Sequence, residues 1–426
     1  MSDNIKTMLT YRHVLVIWIT IACCLAARAQ IRFPPPDSLG GWPQLTDSLE
    51  VYKKVGIDTR KLDEAFSYIQ KTTKNGGLLV LRNGVLVYEK YFGKGSRKAS
   101  TNLASCGKAF TSIAVGILMA QHPELFQDGL DQKIFTTGYF PDWVFPLPDA
   151  RMSEIKLGQL LSFTAGIRGN NPVYVNLKPA TISPPGPDGW PGMVDKFALG
   201  LEDGKLNNTT PFTTKSLWCA PGQGYSYATA SIHIASVMLR HISGLELEEF
   251  LSRYVGKPLG WGRWGFGYKS QPEVAHTPGG GGIVLRPTDV LRFGYLLLNN
   301  GKWKNQQIVP SKYVQLSSKE IKYNPHYPYS LQFNVNSTGH WSGLPRDAYW
   351  KSGSGGHCLY IVPSENLVVW KLGGRDGQYS PKDTGFPLSP SASESAGDSK
   401  EWISGVTDED PNVRTLEMVL KSIIKK

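Results

Sequence analysis

Two short apolar stretches, Gly77-Leu78-Leu79-Val80-Leu81 and Val85-Leu86-Val87-Tyr88, flank the polar step Arg82-Asn83-Gly84. Asn-Gly accepts positive φ at both central positions of a tight turn, so this pattern predicts a β-hairpin. A helix is expected around Leu62 to Gln70. Ala109 to Met119 is apolar on almost every face and predicts a buried helix. Residues 155–166 and 230–251 carry further helical patterns. His357 to Trp370 returns to strand composition with Asn366 as its only turn residue, and Val413 to Ile424 shows helical spacing again. Strands near both chain ends enclosing a long helical middle predict an α+β fold: one antiparallel sheet built from both ends, flanking helices, and a mostly helical inserted region.

Composition agrees with a folded chain. Apolar residues make up 41% and charged residues 19%, with 12 Trp, 19 Tyr and 16 Phe, which excludes a disordered polymer. Lys and Arg outnumber Asp and Glu by 46 to 35. The excess is spread along the chain, so no basic stripe suggests a nucleic-acid partner. Residues 375–400 are rich in Ser, Pro, Gly and Asp and predict a long surface loop.

The first thirty residues have the form of a targeting segment. Lys6 and Arg12 precede an apolar run from Val14 to Leu25, and Ala27-Arg28-Ala29 offers a small-x-small cleavage site. The expectation is a signal peptide over 1–29 and a secreted or periplasmic mature domain over 30–426, touching a membrane only transiently through that peptide. Past the leader, Cys106, Cys219 and Cys358 are too few for a disulfide framework. No CxxC or HExxH occurs, so no metal and no cofactor is expected.

The candidate chemistry begins at Ser105-Cys106-Gly107-Lys108. Three residues of separation put a hydroxyl and an amine on one helix face, and a desolvated amine can serve as the base that a serine nucleophile needs. The pattern also occurs at Ser153-Glu154-Ile155-Lys156 and Ser422-Ile423-Ile424-Lys425. Ser105 differs in heading the buried apolar helix, where Lys108 would be desolvated. A serine there could equally act as a helix cap.

Further along, Val87-Tyr88-Glu89-Lys90-Tyr91-Phe92-Gly93, Ser105 to Ser112, Ile155 to Ile167, Pro221-Gly222-Gln223-Gly224-Tyr225-Ser226-Tyr227, Gly279 to Gly294 and Gln307-Ile308-Val309-Pro310 follow one another in order. With these segments the sequence resembles the serine β-lactamase-like family, which includes class C β-lactamases, penicillin-binding D-alanyl-D-alanine peptidases, related esterases and 6-aminohexanoate-dimer hydrolases. The resemblance implies a β-lactamase/transpeptidase-like fold and an acyl-enzyme mechanism with Ser105 as nucleophile and Lys108 as base. The family's second motif, Tyr-x-Asn, falls on Tyr227 by its spacing from Pro221, with Tyr225 as the alternative, and Thr229 stands where Asn is usual.

The third motif admits two registers. Lys351-Ser352-Gly353 is similar to the Lys-Thr-Gly of β-lactamases and peptidases. Counting back from Pro363, Gly353-Ser354-Gly355-Gly356-His357 is similar to the Gly-x-Gly-Gly-Gln of the esterase and amidase relatives. The second register is the favoured one. It implies Ser354 in the lysine place, Gly355 and Gly356 against the substrate, and the His357 N–H joining that of Ser105 as the oxyanion hole. Carboxylate recognition would then be weak, and Trp341, Tyr349 and Trp350 would form apolar walls. The expected function is an exported serine hydrolase for a small ester, amide or peptide, closer to esterases and amidases than to β-lactamases. The alternatives are a β-lactamase or D-alanyl-D-alanine peptidase, and a non-catalytic receptor for peptide or muropeptide fragments.

Overall fold

The hairpin signal at Asn83-Gly84 is realised directly. In the computed structural model Asn83 (φ 53°) and Gly84 (φ 75°) both turn left-handed, joining β1 (Gly76–Arg82) to β2 (Val85–Phe92). The structure describes residues 33–424 apart from 170–171, 183–185, 187–189, 207–209, 213–214, 268–273 and 380–409. Contacts gather Pro35–Lys426 into one compact unit, and of the remaining unit, Met1–Pro34, only Phe33 and Pro34 are described. The expected targeting segment therefore lies outside the described residues.

Four strands from the distal third of the chain complete the sheet: β3 (Asn334–Val335), β4 (Tyr349–Gly353), β5 (His357–Val362) and β6 (Leu367–Leu372). The order is β3-β4-β5-β6-β1-β2, antiparallel throughout. Asn366 turns β5 into β6 with a positive φ of 46°. The first hairpin thus joins the last strands edge to edge, with Gly77 paired to Leu372.

Both faces of the sheet are covered, so its strands are nearly continuous apolar runs. On one face, helices α1 (Thr59–Thr72) and α5 (Pro411–Leu420) bury Leu62, Ala65, Ile69, Leu416 and Val419 against Leu78, Val80, Trp350, Tyr360 and Val369. Each leucine, isoleucine or valine among them contributes roughly 1.5–3 kcal/mol on leaving water. The other face receives α4 (Pro287–Leu298), which approaches through Gly294: a Cβ there would stand 2.6 Å from Val368 and 2.9 Å from Leu359.

Between the two parts of the sheet lie α2 (Gly107–Gln121) and α3 (Thr229–Ser243). Residues 107–118 of α2 are buried without interruption, as its all-round apolar pattern requires. Two helical expectations are shortened. Over 155–166 only Leu157–Leu161 is helical, because Phe163 takes a left-handed φ of 64°; over 230–251 a left-handed Gly244 separates α3 from Leu247–Leu251. The expected loop at 375–400 is also corrected at its start. Gln378 and Tyr379 are buried: the Gln378 amide donates to Asn102 O and Ser354 O, and the Tyr379 hydroxyl to Gly373 O. The rest of that loop lies outside the described residues.

Candidate active site

Ser105 occupies a 3-10 turn, Ala104–Cys106, that runs straight into α2. Its neighbour Ala104 has a φ of 47°, a conformation L-residues hold only where the surroundings impose it. The constraints are visible. Asn102 Oδ1 accepts from the Ala104 N–H, and Ala104 O accepts from the Gly282 N–H. The glycine run 279–282 threads between α2 and α3 closely enough that a Cβ on Gly281 would stand 2.7 Å from Ala104 O, and one on Gly280 2.4 Å from the Thr229 methyl carbon.

Lys108, one helical turn along, is buried and donates to Ser105 Oγ at 2.9 Å. Its Nζ lies 5.2 Å from the centre of the Tyr227 ring. Tyr227 lies just ahead of α3 and is partly exposed, whereas Tyr225 is buried and stacks on Tyr327. Of the two tyrosines, then, the one beside the amine is Tyr227. Cys106 points away: its thiol donates to Lys351 O at 3.3 Å, and burial pushes its pKa up to about 12. A thiol so held is no nucleophile.

The third motif departs from the favoured register. Lys351 is buried, and its Nζ donates to Tyr227 OH at 3.3 Å and to Tyr329 OH. Side chains alternate along a strand, so Trp350 enters the core beneath α1 and α5 while Lys351 and Gly353 face the Ser105 turn. A Cβ on Gly353 would stand 2.3 Å from Leu103 O and 3.0 Å from Cys106 N. Ser354, expected in the lysine place, is exposed in the turn that follows. Gly355 (φ 93°) and Gly356 (φ 89°) serve that turn.

His357 starts the next strand, opposite Gly353. Its ring is buried, stacks on Trp370, and accepts from the Gly373 N–H. Burial, with the Lys371 charge nearby, pushes its pKa down to about 3, so it stays neutral at ordinary pH. Geometry therefore brings Lys351-Ser352-Gly353, rather than the side chains of Ser354 and His357, to the Ser105 turn.

Other expected positions also differ. Thr229 is buried at the start of α3 with its methyl against Gly280. Tyr349 packs on Phe333, and Trp350 on Trp341 at the edge of the core, so none of the three lines the Ser105 site. Sequence reasoning missed Tyr329, which accepts from the Lys351 amine, and Gln332, which accepts from Tyr329 in turn. Their one signal was the aromatic cluster Tyr327-Pro328-Tyr329, which carries no catalytic pattern. Among the described residues no group of His, Cys, Asp or Glu could hold a metal ion.

A partly exposed serine bonded to a buried lysine at a helix start, faced by a tyrosine and by the edge of an antiparallel sheet, is the arrangement of a serine acyl-transfer hydrolase. The Beta-lactamase family model matches residues 62–385, and the chain belongs to that family. The fold has solved counterparts. A protein of Bacteroides dorei DSM 17855 provisionally assigned as a beta-lactamase is 18% identical, with a TM-score of 0.55, over 80% of this chain and 98% of that one. One of Bacillus anthracis provisionally assigned as a 6-aminohexanoate-dimer hydrolase is 20% identical, with a TM-score of 0.53, over 87% and 88%. EstCE1, a hydrolase with promiscuous acyltransferase activity, is 18% identical, with a TM-score of 0.55, over 74% and 93%. No curated protein matches the sequence. The family and these neighbours are hydrolases of the serine β-lactamase type.

Proposed function

We propose that the chain hydrolyses an ester or amide through a covalent acyl-enzyme on Ser105. The observation that carries this reading is the 2.9 Å hydrogen bond between the buried Lys108 amine and Ser105 Oγ. With Lys108 neutral, the serine proton passes to its Nζ as Oγ attacks the carbonyl carbon. The oxyanion that forms is held by the backbone N–H groups of Ser105 and of Ser354, the residue after Gly353. As the bond to the leaving group breaks, the proton held by Lys108 is relayed through Tyr227, hydrogen-bonded to Lys351 and beside the Lys108 amine, to the departing atom, so that both groups return to their starting state. Water then releases the acyl group by the reverse path. No cofactor enters the scheme. Two of the neighbours' names, a 6-aminohexanoate-dimer hydrolase and an acyltransferring hydrolase, suit an ester or amide substrate, and a third is that of a beta-lactamase. Export through the 1–29 leader belongs to the same proposal.

A receptor that binds without turnover is the competing reading. It has no use for an amine buried against a serine, a placement that costs free energy. The test is labelling by a fluorophosphonate probe, followed by a screen of p-nitrophenyl butyrate, simple amides, D-amino-acid peptides and nitrocefin. Labelling of the wild type and its loss in Ser105→Ala, with unchanged melting temperature, are expected. Labelling that persists in Ser105→Ala would refute the assignment.

A further inference from the structure

Lys351 is enclosed by phenols. It is 2% exposed, and two of its donors are directed at the hydroxyls of Tyr227 and Tyr329. Tyr329 is itself anchored: its O–H donates to Gln332 Oε1 at 3.2 Å, and Gln332 Nε2 donates to Leu161 O at 2.7 Å. Tyr329 and Gln332 are both buried, the Tyr329 ring stacks on Phe163 at 5.4 Å, and Phe163 (φ 64°) and Gln332 (φ 71°) are both held left-handed. Two strained residues on either side of one phenol mark a position fixed by its surroundings rather than an adaptable one.

We infer that Tyr329 is a positioning residue that sets the substrate class, holding the Lys351 ammonium on Tyr227 and away from the acyl substrate, so that the site takes neutral esters and amides and discriminates against substrates bearing a carboxylate. The inference rests on the serine-hydrolase reading above. Two of the three Lys351 N–H groups are committed to phenols, and aiming the ammonium squarely at a carboxylate would turn it off them. Here that rotation would break a buried charge-assisted bond to Tyr329 and leave the phenol oxygen without its donor, which is unfavourable in a dry site. Tyr329 remains a neutral phenol, since burial and then the neighbouring tyrosines push its pKa well up. It therefore orients the ammonium without cancelling its charge.

The experiment compares kcat/KM for nitrocefin, which carries a carboxylate, with that for p-nitrophenyl butyrate, in the wild type and in Tyr329→Phe. Phenylalanine keeps the stacking on Phe163 and removes only the hydroxyl. The nitrocefin-to-ester ratio should rise at least about tenfold, because contacts to a charged group dominate such discrimination. The rise should vanish when Lys351→Met is added, since the gain acts through that amine. An unchanged ratio, or a rise that survives Lys351→Met, overturns the inference. Should Tyr329→Phe fail to fold, inhibition of the wild type by phenylboronic and 3-carboxyphenylboronic acids decides. Similar affinities support the inference, and a carboxylated inhibitor tighter by about tenfold or more refutes it. Fluorophosphonate labelling of Ser105 separates the two claims, because its absence from the wild type would defeat the serine-hydrolase reading itself.

Discussion

Gly353→Ala tests which strand position forms the wall of the site. A Cβ at Gly353 would lie 2.3 Å from Leu103 O and 3.0 Å from Cys106 N, where ordinary contact begins at 3.4 Å. Both neighbours are backbone atoms of the segment that carries Ser105, so neither can swing aside as a side chain would. Relief requires β4 and the Ser105 turn to part by about 1 Å, and a misplacement of that size costs about a hundredfold in rate where reacting groups must be aligned. That corresponds to about 2.7 kcal/mol of transition-state stabilisation. The assay is kcat/KM for p-nitrophenyl butyrate beside a thermal melt. The expected loss is in kcat more than in KM, because the displaced donor acts on the oxyanion and not on the resting carbonyl. Gly353→Ala with activity within about threefold of wild type would refute the placement of β4 against the nucleophile.

Lys351→Ala should lower kcat/KM for the same ester by at least about a hundredfold, since it removes the cation beside Tyr227; activity within a few-fold would return the third motif to Ser354. Lys371, buried on the opposite face of the sheet, is held down to about 8 from 10.5 by burial, against the raising influence of Cys358 and Asp410. The folded state thus binds fewer protons than the unfolded state between pH 8 and 10.5, so unfolding free energy should rise through that window by about 3 kcal/mol. Lys371→Met should remove this rise in urea titrations at pH 7 and pH 10.5, and an identical pH dependence in both proteins would disprove it.

Much of the frame was legible because local rules and tertiary demands agreed. Asn83-Gly84 and Asn366 supplied the left-handed turns that the strands needed, and the apolar stretch after Ser105 could only be a buried helix. The serine-lysine pair was legible for the same reason: three residues of helix fix its geometry. The third motif was not. Counting back from Pro363 put Gly355 and Gly356 against the substrate, whereas those two form the turn and Gly353 is the one that meets the backbone on either side of Ser105. A sequence displays a glycine without saying whether the missing Cβ makes room for a turn or for a neighbour. Tyr329 was invisible because its role depends on meeting Lys351 across the fold, with no spacing rule linking them.

The two buried lysines of the sheet show what separates a working amine from a structural one. Lys351 and Lys371 are both almost wholly enclosed. Lys371 shares its face with Cys358, Tyr360 and Val369 and reaches Asn412 Oδ1 at 3.3 Å, so what it does is confined to the packing of α5. Lys351 reaches two phenols, one of which also borders the Lys108 amine. Burial alone raises the energy of either ammonium. Only at Lys351 is that unfavourable placement coupled to groups that can move a proton beside a nucleophile, which is why its replacement should register in turnover and that of Lys371 in stability.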